Sequence, residues 1–400
     1  MTSIEPERST FTRLAVLWLA GVDLRATLLA LPPVLIFIHR DLGLSETGVG
    51  ALTSLPVLVL AAAAVPGSLL IARGGARRAA IAGLVVVALS SALRGVGPSI
   101  AMLFAMTFVM GVGIAVMQPA VPALVARWCP DRIGFATALY VNGLLVGETL
   151  SAGLTLPLVL PFMRGSWPAA LAAWSAVPLV TAILMLVLRE RLPDAAVGPE
   201  ARWWPDWRAA ETWRLGLVLG GVGVAYFATN AFIPDYLRTA GRVDLIGPCL
   251  AALNAGQLPA SVVALAAARA IVGRRASLVV VPVAIAASLA LFLLAPPAFW
   301  VVAAALIGFC CAFGLVLSLA LPPLVTEARD VHHVSAGMFA IGYGYSFLLP
   351  LLGGVAWDIT HLPAAAFLPA FAGAATTFGA ALGLPHRAGA PGGEIREAAG

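Results

Sequence analysis

Arg25 stands near the middle of an apolar run of more than twenty residues, where its charge has no obvious water to meet. A guanidinium at the centre of such a run costs at least ~2.5–3.5 kcal/mol on insertion scales, so it must face a cavity and a partner. Its planar fork of donors suits carboxylate-like or linear anions; an ion pair that merely locks one helix to another is the alternative. Glu148 lies near the middle of a second apolar run, at matching depth. Two opposite charges so placed are expected to meet rather than to be buried apart. Burial favours the neutral acid and a nearby guanidinium the carboxylate, which is the combination a proton carrier requires. A fixed counter-ion for Arg25 is the other reading of Glu148. Asp23, two residues before Arg25, falls on roughly the opposite side of a helix and is a second candidate for proton coupling.

Neutral polar residues recur at similar depths. Asn142, Tyr226, Asn230, Asn254, Gln257, Tyr343 and Tyr345 sit inside apolar runs, and Gln118 sits nearer one end of its run. Bonds between helices account for any one of them. As a set they supply what the lining of a central cavity needs. The candidate substrate-binding residues are therefore Arg25, Gln118, Asn142, Glu148, Tyr226, Asn230, Asn254, Gln257 and Tyr343. Cys129, Cys249, Cys310 and Cys311 have neither metal-ligand nor disulfide spacing and read as packing residues, so no metal or cofactor is expected. His332 and His333 read as solvated residues at the end of a run. Gly111-Val112-Gly113 lies inside a run rather than at a strand-to-helix turn, and no Walker-type loop is present, which excludes nucleotide-driven chemistry on this chain. An intramembrane enzyme would need a nucleophile pair or a metal cluster at one depth, and none is supplied.

The elements that must position these residues follow from composition. Of 400 residues, 61% are hydrophobic and 11% charged, with a mean hydropathy of +0.97, which cannot cover a water-soluble surface. Runs of span length fall at about 11–38, 48–72, 79–96, 99–126, 134–160 and 168–188, then at about 213–238, 246–270, 276–295, 298–326, 333–357 and 363–384. They are continuously apolar rather than alternating, so they are helices and not barrel strands. The expected organisation is an all-α membrane protein: a six-helix half over 1–190, a linker over 191–212, a second six-helix half over 213–386 and a tail over 387–400.

All 24 basic residues are Arg, and they are dispersed through short loops, which argues against a nucleic-acid partner. With the N-terminus placed inside, 18 of the 24 collect on the inner side, so both termini are expected to be cytoplasmic. Arg40, Arg94, Arg164, Arg238 and Arg242 then fall in outer loops. Trp203, Trp204, Trp207 and Trp213, interleaved with Arg202, Arg208 and Arg214, read as a segment lying at the lipid headgroups.

The two halves repeat one another at an offset of about 200 residues: Val121-Pro122-Ala123-Leu124-Val125 against Leu321-Pro322-Pro323-Leu324-Val325, Ser54-Leu55-Pro56 against Gln257-Leu258-Pro259, and Arg77-Arg78 against Arg274-Arg275. Symmetry between six-helix halves marks transporters that rock about a midplane site. Asp23-Leu24-Arg25, Leu52-Thr53-Ser54-Leu55-Pro56 and the stretch from Gly111 to Pro122 resemble the cyanate/nitroimidazole transporter family of the major facilitator superfamily. Weaker similarity runs through 132–139, 253–259 and 308–321. The chain departs from the pattern at Asp23, where Asn is usual, and around Glu148, where small residues are usual. The superfamily's loop after the second run survives as Arg73, Gly75, Arg77 and Arg78 without its acidic member.

The resemblance implies a pseudo-symmetric twelve-helix fold and a secondary transporter of the bacterial inner membrane, moving a small anion or small planar polar solute. The expected partners are that solute and lipid, with the chain a monomer. Proton-driven drug or metabolite efflux is the second reading and a non-transporting membrane sensor the third. Cysteine labelling tests the topology: a Cys at Ala195 should react only from the cytoplasmic side and one at Gly241 only from outside, and the reverse pattern contradicts the orientation.

Overall fold

The computed structural model describes residues 4–44, 46–97, 99–188 and 202–384. Twelve helices among them are long and apolar enough to cross a membrane: Thr10–Ile38, Ala51–Gly74, Ala76–Leu93, Ile100–Trp128, Pro130–Phe162 and Trp167–Val187, then Ala210–Thr239, Val243–Ala266, Arg275–Leu294, Pro297–Val325, Val331–Thr360 and Pro363–Leu382. They are called spans one to twelve here. Each apolar run read from the sequence holds one of them, and no strand occurs among the described residues. Phe108, Leu186, Val280 and Leu294 are among the many large apolar side chains left on the outside, as hydrocarbon demands and water forbids.

Pseudo-symmetry shows in what packs on what. Span one lies on span five as seven lies on eleven; two lies on four as eight lies on ten; three lies on four as nine lies on ten. The seam between halves repeats the pattern, with span five against eight and span eleven against two. Small residues let these helices touch backbone to backbone. A Cβ on Gly143 of span five would enter the Trp18 carbonyl of span one, and a Cβ on Gly308 of span ten would enter the Leu253 carbonyl of span eight. With no solvent to expel between helices in lipid, such contact supplies the dispersion energy that holds a bundle together.

Spans one, five, six and eight are interrupted, and the breaks in one, five and eight concern the site. Span one is helical to Asp23 and again over Ala26–Leu29, with Arg25 between them at φ −129°, ψ −31°. Pro32 and Pro33 follow at once and can donate nothing to the carbonyls before them. Span eight breaks at Gly256 between Ile246–Ala255 and Gln257–Ala266. Span five ends in a π-turn over Thr155–Val159 around Pro157.

Residues 189–201 and 385–400 lie outside the described residues, and with them the tail and most of the expected linker. The described remainder brings Trp203, Trp204 and Trp207 edge to face and turns Trp213 Nε1 onto the Trp207 carbonyl at 2.9 Å. Pro205 packs at Gly337 near the start of span eleven. His332 and His333 lie there as well, and both are buried rather than solvated, a correction to their sequence reading. A residue at the end of an apolar run is covered when the preceding segment folds back over it. His333 pairs with Asp330 at 3.2 Å.

The glycine packing yields a test with an internal control. A Cβ at Gly353 in span eleven meets the Ala366 carbonyl and the Phe232 ring, whereas one at the next residue, Gly354, meets nothing. Gly353→Ala should lower the unfolding midpoint in detergent by roughly a few degrees, through overpacking of about 1–3 kcal/mol. Gly354→Ala should leave it unchanged or raise it slightly. Equal midpoints for the two variants would contradict the packing described.

Candidate functional site

A cavity of about 460 Å³ lies between the halves. Arg25, Glu148, Tyr226, Asn230, Gln257 and Tyr343 all line it, the remaining wall being mostly aliphatic. A few convergent polar groups in an apolar chamber of this size are characteristic of a small-molecule site. Its wall reaches from the middle of the bundle toward the end opposite the linker, since Leu31 and Pro32 late in span one and Leu52 early in span two belong to it.

Beneath it, toward the linker end, the halves are joined. Gln118 Nε2 in span four donates to the Tyr343 hydroxyl in span eleven at 2.8 Å. Asn142 in span five accepts from Trp18 Nε1 at 2.9 Å and donates to Ser261 Oγ in span eight at 2.9 Å. Lower still, Val272 sits against Gly134 at the start of span five. Gln118 and Asn142 are thus seam residues and do not line the cavity. A sequence gives depth along a helix and not the partner across the seam.

The break in span one carries Arg25 to the cavity wall. The guanidinium is half-buried, its Nε is buried without a hydrogen-bond partner, and no ion pair joins it to Glu148 among the described residues. The two charges share one cavity and lie within electrostatic range, together with Tyr226 and Tyr343. The expected direct contact is absent because Glu148 is turned to the other half, toward Tyr226. Asp23 does not line the cavity. It is fully buried, and its one neighbouring hydroxyl among the described residues, that of Thr181, donates to the Val177 carbonyl instead.

Tyr226 is the hub of a small network. Its hydroxyl lies 2.6 Å from Asn254 Oδ1 and 3.3 Å from Glu148 Oε1, and Gln257 Nε2 lies 3.3 Å from it and 3.4 Å from Asn254 Oδ1. Asn254 itself donates to the Leu250 carbonyl at 2.8 Å and stands behind Tyr226 rather than at the cavity wall. A phenol has one proton to give. It serves either the amide oxygen or the carboxylate at any moment, so the network has two arrangements that differ in whether Glu148 receives a hydrogen bond. Asn254 and Gln257 are three residues apart and so share one face of span eight, on either side of the break at Gly256.

Arg94 also lines the cavity, although the sequence places it in an outer loop. It follows the last turn of span three, is 1% exposed, and donates through Nη2 to the Thr27 carbonyl at 2.7 Å and to Ser91 Oγ at 3.1 Å. The signal available in the sequence was Ser90-Ser91 one turn before an arginine on the side where arginines are scarce. Phe227 and Ser346 are further lining residues not singled out by sequence. Among the described residues no group of three or more His, Cys, Asp or Glu side chains is placed to hold a metal.

A twelve-helix bundle of two like halves around a polar midplane cavity defines a membrane transporter. The sequence pattern of the Major Facilitator Superfamily matches residues 15–338, and the chain belongs to that superfamily. It is 28% identical to the cyanate transport protein CynX of Escherichia coli over 354 residues, covering 87% of this chain and 90% of that one. It is 26% identical to the 2-nitroimidazole transporter of the same organism over 230 residues, 57% of this chain and 58% of that one. It is also 26% identical to the uncharacterized transporter YycB of Bacillus subtilis over 219 residues, 55% of this chain, and that match spans about half of the relative's length. The family resemblance read from the motifs in spans one, two and four therefore stands. Among solved structures, FucP in its outward conformation superposes with a TM-score of 0.73 over 94% of this chain and 99% of that one at 14% identity, a likeness of fold.

The seam bonds generate a prediction. Tyr343→Phe removes the acceptor of Gln118, a buried bond worth about 1 kcal/mol, so the ratio of linker-end-open to linker-end-closed molecules should rise about fivefold. The reactivity of a Cys placed at Val272 toward a polar maleimide reads that ratio. Unchanged labelling would show that the bond does not hold the end shut.

Proposed function

We propose that this transporter moves a small monovalent anion, linear or planar, across the bacterial inner membrane by alternating access, with Arg25 as the anion-binding residue and Glu148 as the proton carrier. The observation that carries the reading is the guanidinium of Arg25, placed on a cavity wall with no hydrogen bond or ion pair from the described residues. A fixed cation so placed is stabilised by a ligand of opposite charge. The relatives are named for cyanate, a linear anion, and for 2-nitroimidazole, a planar polar ring, and both fit the chemistry of this cavity.

With the linker end taken as cytoplasmic, on the arginine distribution, the closed seam at Gln118–Tyr343 and Asn142–Ser261 makes this an outward-facing form. The anion enters from outside and docks on Arg25. Its negative charge, brought beside Glu148, disfavours a second negative charge there, so Glu148 takes up a proton. Tyr226 then donates its hydrogen bond to Asn254 Oδ1 and accepts one from the protonated Glu148. The loaded cavity thus gains one anion and one proton together, and closure over both carries them to the other side.

Uptake into proteoliposomes tests the scheme, with cyanate, formate and nitrate as probes and an imposed pH gradient as driving force. Arg25→Lys should lose transport tenfold or more, because an ammonium cannot replace the bidentate fork. Glu148→Gln should still bind the anion within severalfold of wild type but no longer respond to the gradient. Gradient-dependent uptake by Glu148→Gln, or full uptake by Arg25→Ala, would reduce both residues to structural parts.

A further inference from the structure

Arg94 is the more deeply buried of the two cavity arginines, and the scheme above does not use it. Both protons of its Nη2 are taken, one by the Thr27 carbonyl and one by Ser91 Oγ, whose own proton goes to the Leu171 carbonyl at 3.2 Å. Nε and Nη1 are buried with no protein acceptor, which leaves three N–H groups of a cation unsatisfied. No carboxylate pairs with it among the described residues. Thr107 of span four lines the same cavity and is fully buried, and its hydroxyl too has no partner among the described residues. Each orphaned donor of this kind destabilises the empty site, and a buried unpaired charge does so more strongly.

Charge accounting points the same way. Arg25 and Arg94 bring two fixed positive charges to the cavity wall, and Glu148 is the one acidic residue among the described residues that line it. The chamber therefore carries a net positive charge whichever form Glu148 takes. One anion on Arg25 leaves the excess near Arg94 unanswered.

We propose that Arg94 and the Thr107 hydroxyl form a second anion subsite, on the side of the cavity away from the Gln118–Tyr343 bond, where the substrate is held before it reaches Arg25. The proposal rests on the anion reading of Arg25 and extends it. The two subsites are mechanically joined. Thr27, whose carbonyl Arg94 grips, belongs to the short helix that begins immediately after Arg25. That carbonyl is free for Arg94 because the backbone of Leu31 bonds to Leu28 instead. An anion drawn onto Arg94 therefore pulls on the same segment that sets the position of Arg25.

The alternative is that Arg94 only clamps span one to span three, and conservative variants separate the two roles. Arg94→Gln keeps a donor for the Thr27 carbonyl and removes the charge. Arg94→Lys keeps the charge and loses the planar geometry. Thr107→Val keeps the volume and removes the hydroxyl without touching the clamp. Initial rates of cyanate, formate and nitrate uptake are measured for each, with unfolding midpoints in detergent. For the transported anion, Arg94→Gln should raise KM roughly tenfold or more with kcat much less affected. Thr107→Val should raise KM severalfold, Arg94→Lys should recover part of the loss, and the midpoints should stay within a few degrees of wild type. A wild-type KM in Arg94→Gln overturns the subsite. So does a pattern in which kcat and the midpoint fall in both Arg94 variants while KM holds, which is the mark of a clamp. An Arg25→Gln variant runs in parallel: if it transports as wild type does, the anion reading of Arg25 fails, while the Arg94 and Thr107 arms still report on their own site. A wild type that takes up none of the three anions overturns both.

Discussion

A guanidinium keeps its proton throughout the physiological range, so Arg25 and Arg94 are permanent positive charges in the wall of a chamber surrounded by apolar side chains and, beyond them, by lipid. Such charges are tolerated only where something answers them. Here the answers inside the protein are partial: one carbonyl and one hydroxyl for Arg94, and electrostatic range to a single carboxylate for Arg25. The remainder falls to whatever occupies the cavity. The interruptions in spans one and eight belong to the same account. Irregular backbone is accepted at membrane depth where it borders a polar cavity, since freed carbonyls and amides find partners there. Arg94 bonded to Thr27 is one such repair, made by the side chain that the chamber itself leaves short of acceptors.

The halves meet through few polar bonds and much apolar contact. Gln118 with Tyr343, and Asn142 with Ser261, cross the seam on the linker side of the cavity, while the contacts inside each half are glycine-lined and made directly on backbone. This division suits a machine of two rigid bodies. Backbone packed on backbone has little slack, which suits halves that move as units on the proposed cycle, and on the linker side of the cavity the described seam is held by two bonds of about 1 kcal/mol each, a cost that ligand binding can cover.

Much of this was legible in the sequence, for a physical reason. Lipid leaves a helix few ways to hide charge, so Arg25 and Glu148 announced themselves as ionisable residues in mid-run, and Tyr226, Asn230, Gln257 and Tyr343 as polar residues at the same depth. The structure brings all six to one cavity. Depth was readable; azimuth was not. Gln118 and Asn142 have the same signature but point across the seam, and Glu148 faces Tyr226 rather than Arg25. Arg94 escaped because it sits where an apolar run ends, and a residue there is as easily a solvated loop residue as one folded back into the wall. The break at Leu24-Arg25 has no proline or glycine of its own to mark it. At the break the Leu24 and Arg25 amides bond three residues back, to the Gly21 and Val22 carbonyls, and Arg94 holds the Thr27 carbonyl just beyond it, a tertiary contact that the sequence does not show.

One acidic side chain on the cavity wall has a consequence for energetics across the membrane. On the proposed cycle a monovalent anion enters with the single proton that Glu148 can take up, and the pair crosses with no net charge. The membrane potential, inside negative, opposes inward movement of a bare anion by about 2.3 kcal/mol per 100 mV for each charge. A complex with no net charge is exempt from that opposition, and the gradient that drives it is chemical rather than electrical. A second carboxylate in the wall would carry a second proton and make import depend on voltage. On that cycle, the count of acidic side chains among the described lining residues decides whether transport feels the electrical state of the membrane.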